Sequence, residues 1–216
     1  MTILRERIPT PAAEASASYD FEDVEEGIGF VSFNAATTSG SAIITRRLVY
    51  SNTLETSVST LSGSHWKEID IDFDTAAFNL PRTIKGTAFI SIPMAIQSQA
   101  AGARKDGYTI AEVKHWDGTT ETSLGRSTSG SYLLSPVGNG AKGGQVQLHK
   151  IALTQKTFKA EDILRVTVEA YSIAGSTAGM GIGHDPQGRT DPENLFSGST
   201  TVTTKLIADI PFKLDL

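Results

Sequence analysis

Apolar side chains recur at every second position along much of the chain, and the clearest run is the last. Val202, Thr204, Leu206, Ala208, Ile210, Phe212, Leu214 and Leu216 share one parity, while Thr203, Lys205, Ile207, Asp209, Pro211, Lys213 and Asp215 hold the other. Successive side chains of a strand point to opposite faces, so this period of two predicts a strand with one face on a core and one in water. At about 3.3 Å per residue the run is longer than an ordinary strand, which predicts a bend or bulge inside it. Pro211 has no amide proton for a ladder and so predicts an edge position.

The same reading predicts strands over residues 29–34 and 42–51, with a weaker one at 55–60. Over residues 64–73, Ile69, Ile71 and Phe73 face one way and Glu68, Asp70 and Asp72 the other, with Asp74 in phase with them. Residues 84–96 place Ile84, Ala88, Ile90, Ile92, Met94 and Ile96 on one side; Pro93, on the other, predicts an edge or a bulge. Asp117-Gly118, between strands at 108–116 and 119–124, predicts a hairpin with a type I′ turn. Over 146–154 the apolar phase changes, from Val146 and Leu148 to Ile151 and Leu153, and a bulge near His149 and Lys150 would reconcile the two. Residues 163–171 alternate cleanly, with Leu164, Val166, Val168 and Ala170 inward and Arg165, Thr167 and Glu169 outward. The glycine-rich residues 175–198 read as a loop. Residues 1–18, broken by Pro9 and Pro11, read as an extended N-terminal arm, and residues 19–216 as a single domain. Eight or nine such strands with long loops predict an all-β, antiparallel β-sandwich of jelly-roll type.

Composition agrees with strands and turns, since 46 serines and threonines stand against 20% charged residues. A net charge of −5 disfavours attraction to phosphate backbones, so no nucleic-acid partner is expected. Without cysteine there are no disulfides, thiolate ligands or thiol nucleophiles. No run of eighteen apolar residues occurs, and residues 1–8 lack the apolar centre of a signal peptide, so neither a membrane partner nor general secretion is expected.

Candidate chemistry is sparse. Residues 138–143 formally satisfy GxGxxG, but a strand follows where a dinucleotide site needs a helix N-terminus. Asp70, Asp72 and Asp74 resemble the opening of a calcium loop, yet Ala76 and Pro81 stand where its glycine and glutamate belong. Of the four histidines, His65, His115 and His149 read as strand or strand-end residues. His184 begins the polar run His184-Asp185-Pro186-Gln187-Gly188-Arg189-Thr190-Asp191, which reads two ways. His184, Asp185 and Asp191 could hold a metal or polarise a proton donor; alternatively Asp185-Pro186 starts a turn with Gly188 in the left-handed region, and this is the stronger reading. No catalytic residue, metal or cofactor is therefore expected.

Three stretches, Phe158-Lys159-Ala160-Glu161-Asp162-Ile163-Leu164-Arg165-Val166-Thr167-Val168-Glu169, His184-Asp185-Pro186-Gln187-Gly188-Arg189 and Ile210-Pro211-Phe212-Lys213-Leu214-Asp215-Leu216, together with residues 78–88, resemble jelly-roll structural proteins of tailed-bacteriophage virions. The resemblance implies a non-enzymatic capsid decoration or cement protein on the virion, made in the host cytoplasm. Its implied partners are the major capsid protein, other virion proteins and copies of itself, a trimer being the favoured homo-oligomer. On this reading Ile3, Leu4, Arg5, Arg7 and Ile8 of the arm clasp a neighbour. The alternative is a tail-associated or receptor-binding module on which Trp116, Tyr132 and His184 contact host glycan.

Overall fold

The structure, a computed structural model, describes residues 28–39, 44–50, 59–62, 67–98, 105–134, 142–172, 178–188 and 204–213. Among them run β1 (Ile28–Ser39), β2 (Ile44–Val49), β3 (Ser59–Ser62), β4 (Lys67–Asp74), β5 (Arg82–Ser98) and β6 (Lys105–Trp116). There follow β7 (Glu121–Thr128), β8 (Tyr132–Leu134), β9 (Lys142–Phe158), β10 (Ile163–Ser172), β11 (Ala178–Gly183) and β12 (Ile207–Lys213). The arm predicted at residues 1–18, with Ile3, Leu4, Arg5, Arg7 and Ile8, lies outside the described residues.

The strand pairing is nested. β1 pairs with β12, β4 with β10, β5 with β9 and β6 with β7, all antiparallel. Ladders between β12 and β5 and between β10 and β6 join these pairs two by two. The result is one layer in the order β1-β12-β5-β9 and another in the order β4-β10-β6-β7, the arrangement of a jelly roll. The predicted all-β sandwich is therefore what the chain forms. β2 carries the sheet from one layer toward the other, antiparallel to β1 and meeting β4 in a single parallel contact at Arg47 and Asp74.

The alternation read from the sequence is the alternation of the core. Ile84, Ala88, Ile90, Ile92, Met94 and Ile96 of β5 meet Leu164, Val166, Val168 and Ala170 of β10 in one buried cluster with Phe33, Phe73 and Phe158. Each large side chain so buried contributes about 1.5–3 kcal/mol relative to exposure. On the outer face of the second layer the intervening positions pair with one another. Arg165 grips both carboxylate oxygens of Asp74 at 2.7 Å, reaches Glu121, and lies 5.3 Å from the Trp116 ring centre. Arg126 reaches Glu169 at 2.8 Å.

Several expectations are corrected. Pro211 is not on an edge, because β12 lies between β1 and β5; it sits where the β12–β5 register slips between Asp209 and Phe212, so its missing amide proton falls at the predicted irregularity. Pro93 is also internal, and falls between the end of the β12 ladder at Ser91 and the start of the β11 ladder at Met94. No bulge occurs at His149 and Lys150, whose pairing with Ile90 and Phe89 is regular. Instead β9 keeps one phase, burying Gln147, His149 and Ile151 while Val146 and Leu148 face out. The slip lies nearer its end, where Gly86 opposes Leu153 and Ile84 opposes Lys156. The hairpin of β6 and β7 is present, but Gly118 alone has a positive φ, 89°, at the first central position, which is the pattern of a type II′ turn. Residues 178–183, read as loop, form β11 between β5 and β3.

Candidate functional site

The polar run beginning at His184 leaves the end of β11 and is the place where sequence and structure concentrate polar groups in the interior. His184 and Asp185 are both fully buried, and the His184 ring packs 5.9 Å from that of Phe73. The turn reading holds: the Gly188 amide donates to the Asp185 carbonyl at 2.9 Å, the Gln187 amide to Asp185 Oδ1 at 3.2 Å, and Gly188 has φ 70°. The Asp185 amide donates to the Thr204 carbonyl at 3.0 Å, which ties this turn to the segment leading into β12. Gly183 permits the approach, since a Cβ there would lie 2.7 Å from the Thr204 backbone. Asp191, the third member of the metal reading, lies outside the described residues.

Register extends this corner across β1. Asn34 opposes Ile207, and the Ala35 amide donates to the Leu206 carbonyl at 3.0 Å, so the same register two residues on puts Thr204 beside Thr37. On its other side Thr37 opposes Arg46 of β2. Leu48, Ala35 and Leu206 thus form an apolar row, all in the core cluster, and Arg46, Thr37 and Thr204 form the next row on the same face. Nothing in the local sequence announces this row, because its three residues are brought together only by long-range pairing.

Two further histidines face inward. His115, at the end of β6, has Nε2 2.6 Å from Asp162 Oδ2, and the Lys159 amide donates to the same oxygen at 2.8 Å. The His115 hydrogen bond, followed by the Lys159 amide, holds the Asp162 carboxyl below the usual carboxylate range. Its Nδ1 is buried with no hydrogen-bond partner, and the ring stands edge-on to Phe158. The pair ties the turn before β10 to β6. His149 of β9 crosses the sandwich, with Nε2 2.8 Å from Thr109 Oγ1 of β6. Burial pushes its pKa down to about 4, with a backbone bond to Ser127 opposing the shift. Thr109 and His149 stand at the separation of a nucleophile and its base, but both are fully buried, so a substrate does not reach them.

The residues expected to contact glycan do not assemble. Trp116 ends β6, half-buried against Arg165. Tyr132 pairs with Gly107, nine residues back along β6, roughly 30 Å away at strand spacing, and packs on the core. His184 has no exposed surface.

No family model matches the chain, and no curated protein sequence does. Among solved structures, a selenomethionine-labelled α-amino acid ester hydrolase matches with TM-score 0.53 and 8% identity, over 83% of this chain and 36% of that one. An aminopeptidase from the marine sediment archaeon Thaumarchaeota archaeon matches with TM-score 0.53 and 8% identity, over 84% and 36%. A match to infectious bursal disease virus, Gx strain, has TM-score 0.23 and 7% identity over 95% of this chain and 61% of that one, too slight to carry an argument. The first two likenesses show the fold, and the chain spans 36% of the length of those hydrolases. They overturn the expectation of a non-enzymatic virion protein, as cement or as glycan-reading tail module: the sandwiches that this one resembles belong to hydrolases.

Proposed function

We propose that this chain is the β-sandwich portion of a hydrolase that cleaves ester or peptide bonds. The observation supporting this reading is that more than four-fifths of the chain superposes on sandwiches occupying 36% of an ester hydrolase and of an aminopeptidase. A body of this kind suits the role physically. Its core is closed by nested pairing and its polar outer lattice is internally matched, so loops at its rim can be held rigidly beside a neighbouring body. The corner formed by the buried His184, Asp185, Thr204 and Thr37 with the partly exposed Arg46 is equipped to orient a polar group. Affinity isolation of the tagged chain from the cells that make it should recover hydrolysis of p-nitrophenyl esters or aminoacyl p-nitroanilides. Material that cleaves neither, alone or with whatever accompanies it, would sink the reading.

A further inference from the structure

On one face of β1 and β2, two buried polar atoms stand on directly opposed residues and neither has a hydrogen-bond partner. Thr37 and Arg46 are direct cross-strand partners, in phase with the core residues Ala35 and Leu48. Thr37 is 5% exposed, and its hydroxyl and the Arg46 Nε are both buried without a hydrogen-bond partner. No described carboxylate pairs with Arg46, whereas Arg126 holds Glu169 and Arg165 holds Asp74 and Glu121. Directly opposed residues in an antiparallel ladder have Cβ atoms about 5 Å apart, a spacing at which one small ligand can reach both side chains. Asp185, whose amide bonds to Thr204 at the far end of the row, accepts the Gln187 amide of its own turn.

Withdrawing a guanidinium edge and a hydroxyl from water without an acceptor is unfavourable, and a single acceptor shared by both relieves both. Positive charge selects an anion, and the planar N–H fork favours an oxyanion over a spherical ion. We propose that Arg46 and Thr37 form a binding site for a small oxyanion, a carboxylate foremost, with Thr204 as the neighbouring wall. The site stands on these residues alone and holds whether or not the hydrolase reading does.

The test is a titration of the full chain followed through the Arg46 Nε–H signal in nitrogen-resolved NMR, using sodium acetate and sodium phosphate in turn, with sodium chloride keeping ionic strength constant. A saturable shift with acetate, and slower exchange of that proton with water, is the expected result. An equal response to phosphate assigns the site to oxyanions in general, and a response to acetate alone to carboxylates; both support it. The same shift with chloride, or none with either oxyanion, overturns it. Thr37→Val preserves shape and should weaken acetate binding at least fivefold, as loss of one hydrogen bond to a charged group implies. Unchanged affinity in that variant overturns the role of Thr37. Thermal stabilisation by acetate over chloride, lost in Arg46→Gln, supports the site without the NMR signal, and equal melting of the unaltered chain in the two salts overturns it.

Discussion

His115 and His149 are buried in the same core but held by different kinds of acceptor. His115 meets an ionised carboxylate, and the contact fastens the Lys159–Asp162 turn to the end of β6. His149 meets the Thr109 hydroxyl and the Ser127 backbone, both neutral, and burial keeps its ring neutral down to a pKa of about 4. A buried imidazole with an ionic partner can anchor a segment of chain; one with a neutral partner adds a polar bridge between layers and a liability in acid.

The largest effect expected from breaking this contrast is at Asp162. Asp162→Ala leaves His115 Nε2 and the Lys159 amide without their acceptor, and should cost roughly 2–3 kcal/mol in urea unfolding. A loss under about 1 kcal/mol would mean that the turn does not depend on the pair. The next effect is acid sensitivity. The folded His149 pKa, about 4, lies below the ordinary value of 6.5, so its contribution is complete above about pH 6.5 and lost as pH falls toward 4. On the order of 2 kcal/mol should disappear across that window, and His149→Gln should flatten that part of the profile. An unaltered profile in the variant would place the acid sensitivity elsewhere. The smallest effect sharpens the first: Glu161, beside Asp162, has φ 72°, where a side chain is strained. Glu161→Gly should stabilise the protein by about 0.5–1 kcal/mol, and a destabilisation would show that the side chain has another task.

How much of this was legible follows from the range of the forces involved. β5, β10 and the β6–β7 hairpin were readable because alternation and Asp117-Gly118 are local signals. β11 was not: in Ala178–Gly183 only Met180 and Ile182 carry large side chains, and the strand exists because β5 and β3 supply ladders on both sides. β9 misled for a related reason. Its apolar Val146 and Leu148 face outward while Gln147 and His149 go in with Ile151, and the partner that His149 meets there, Thr109, lies forty residues away. The Arg46–Thr37–Thr204 row was invisible because none of its members is a sequence neighbour of another. Reading the His184 run as a turn succeeded because turn chemistry is local, but its burial against Phe73 could not be foreseen.

The outermost of the nested pairs sets when this molecule can exist. Ile28 opposes Lys213, so β1 waits for its partner until every strand between them has been made, with β5 waiting for the same strand on its other side. Until β12 emerges from the ribosome, two apolar ladders stand open, and the closing step must then bridge all the strands from β1 to β12, a slow and aggregation-exposed route. Expression conditions that delay crowding of half-made chains should therefore govern yield more than any single contact in the finished core.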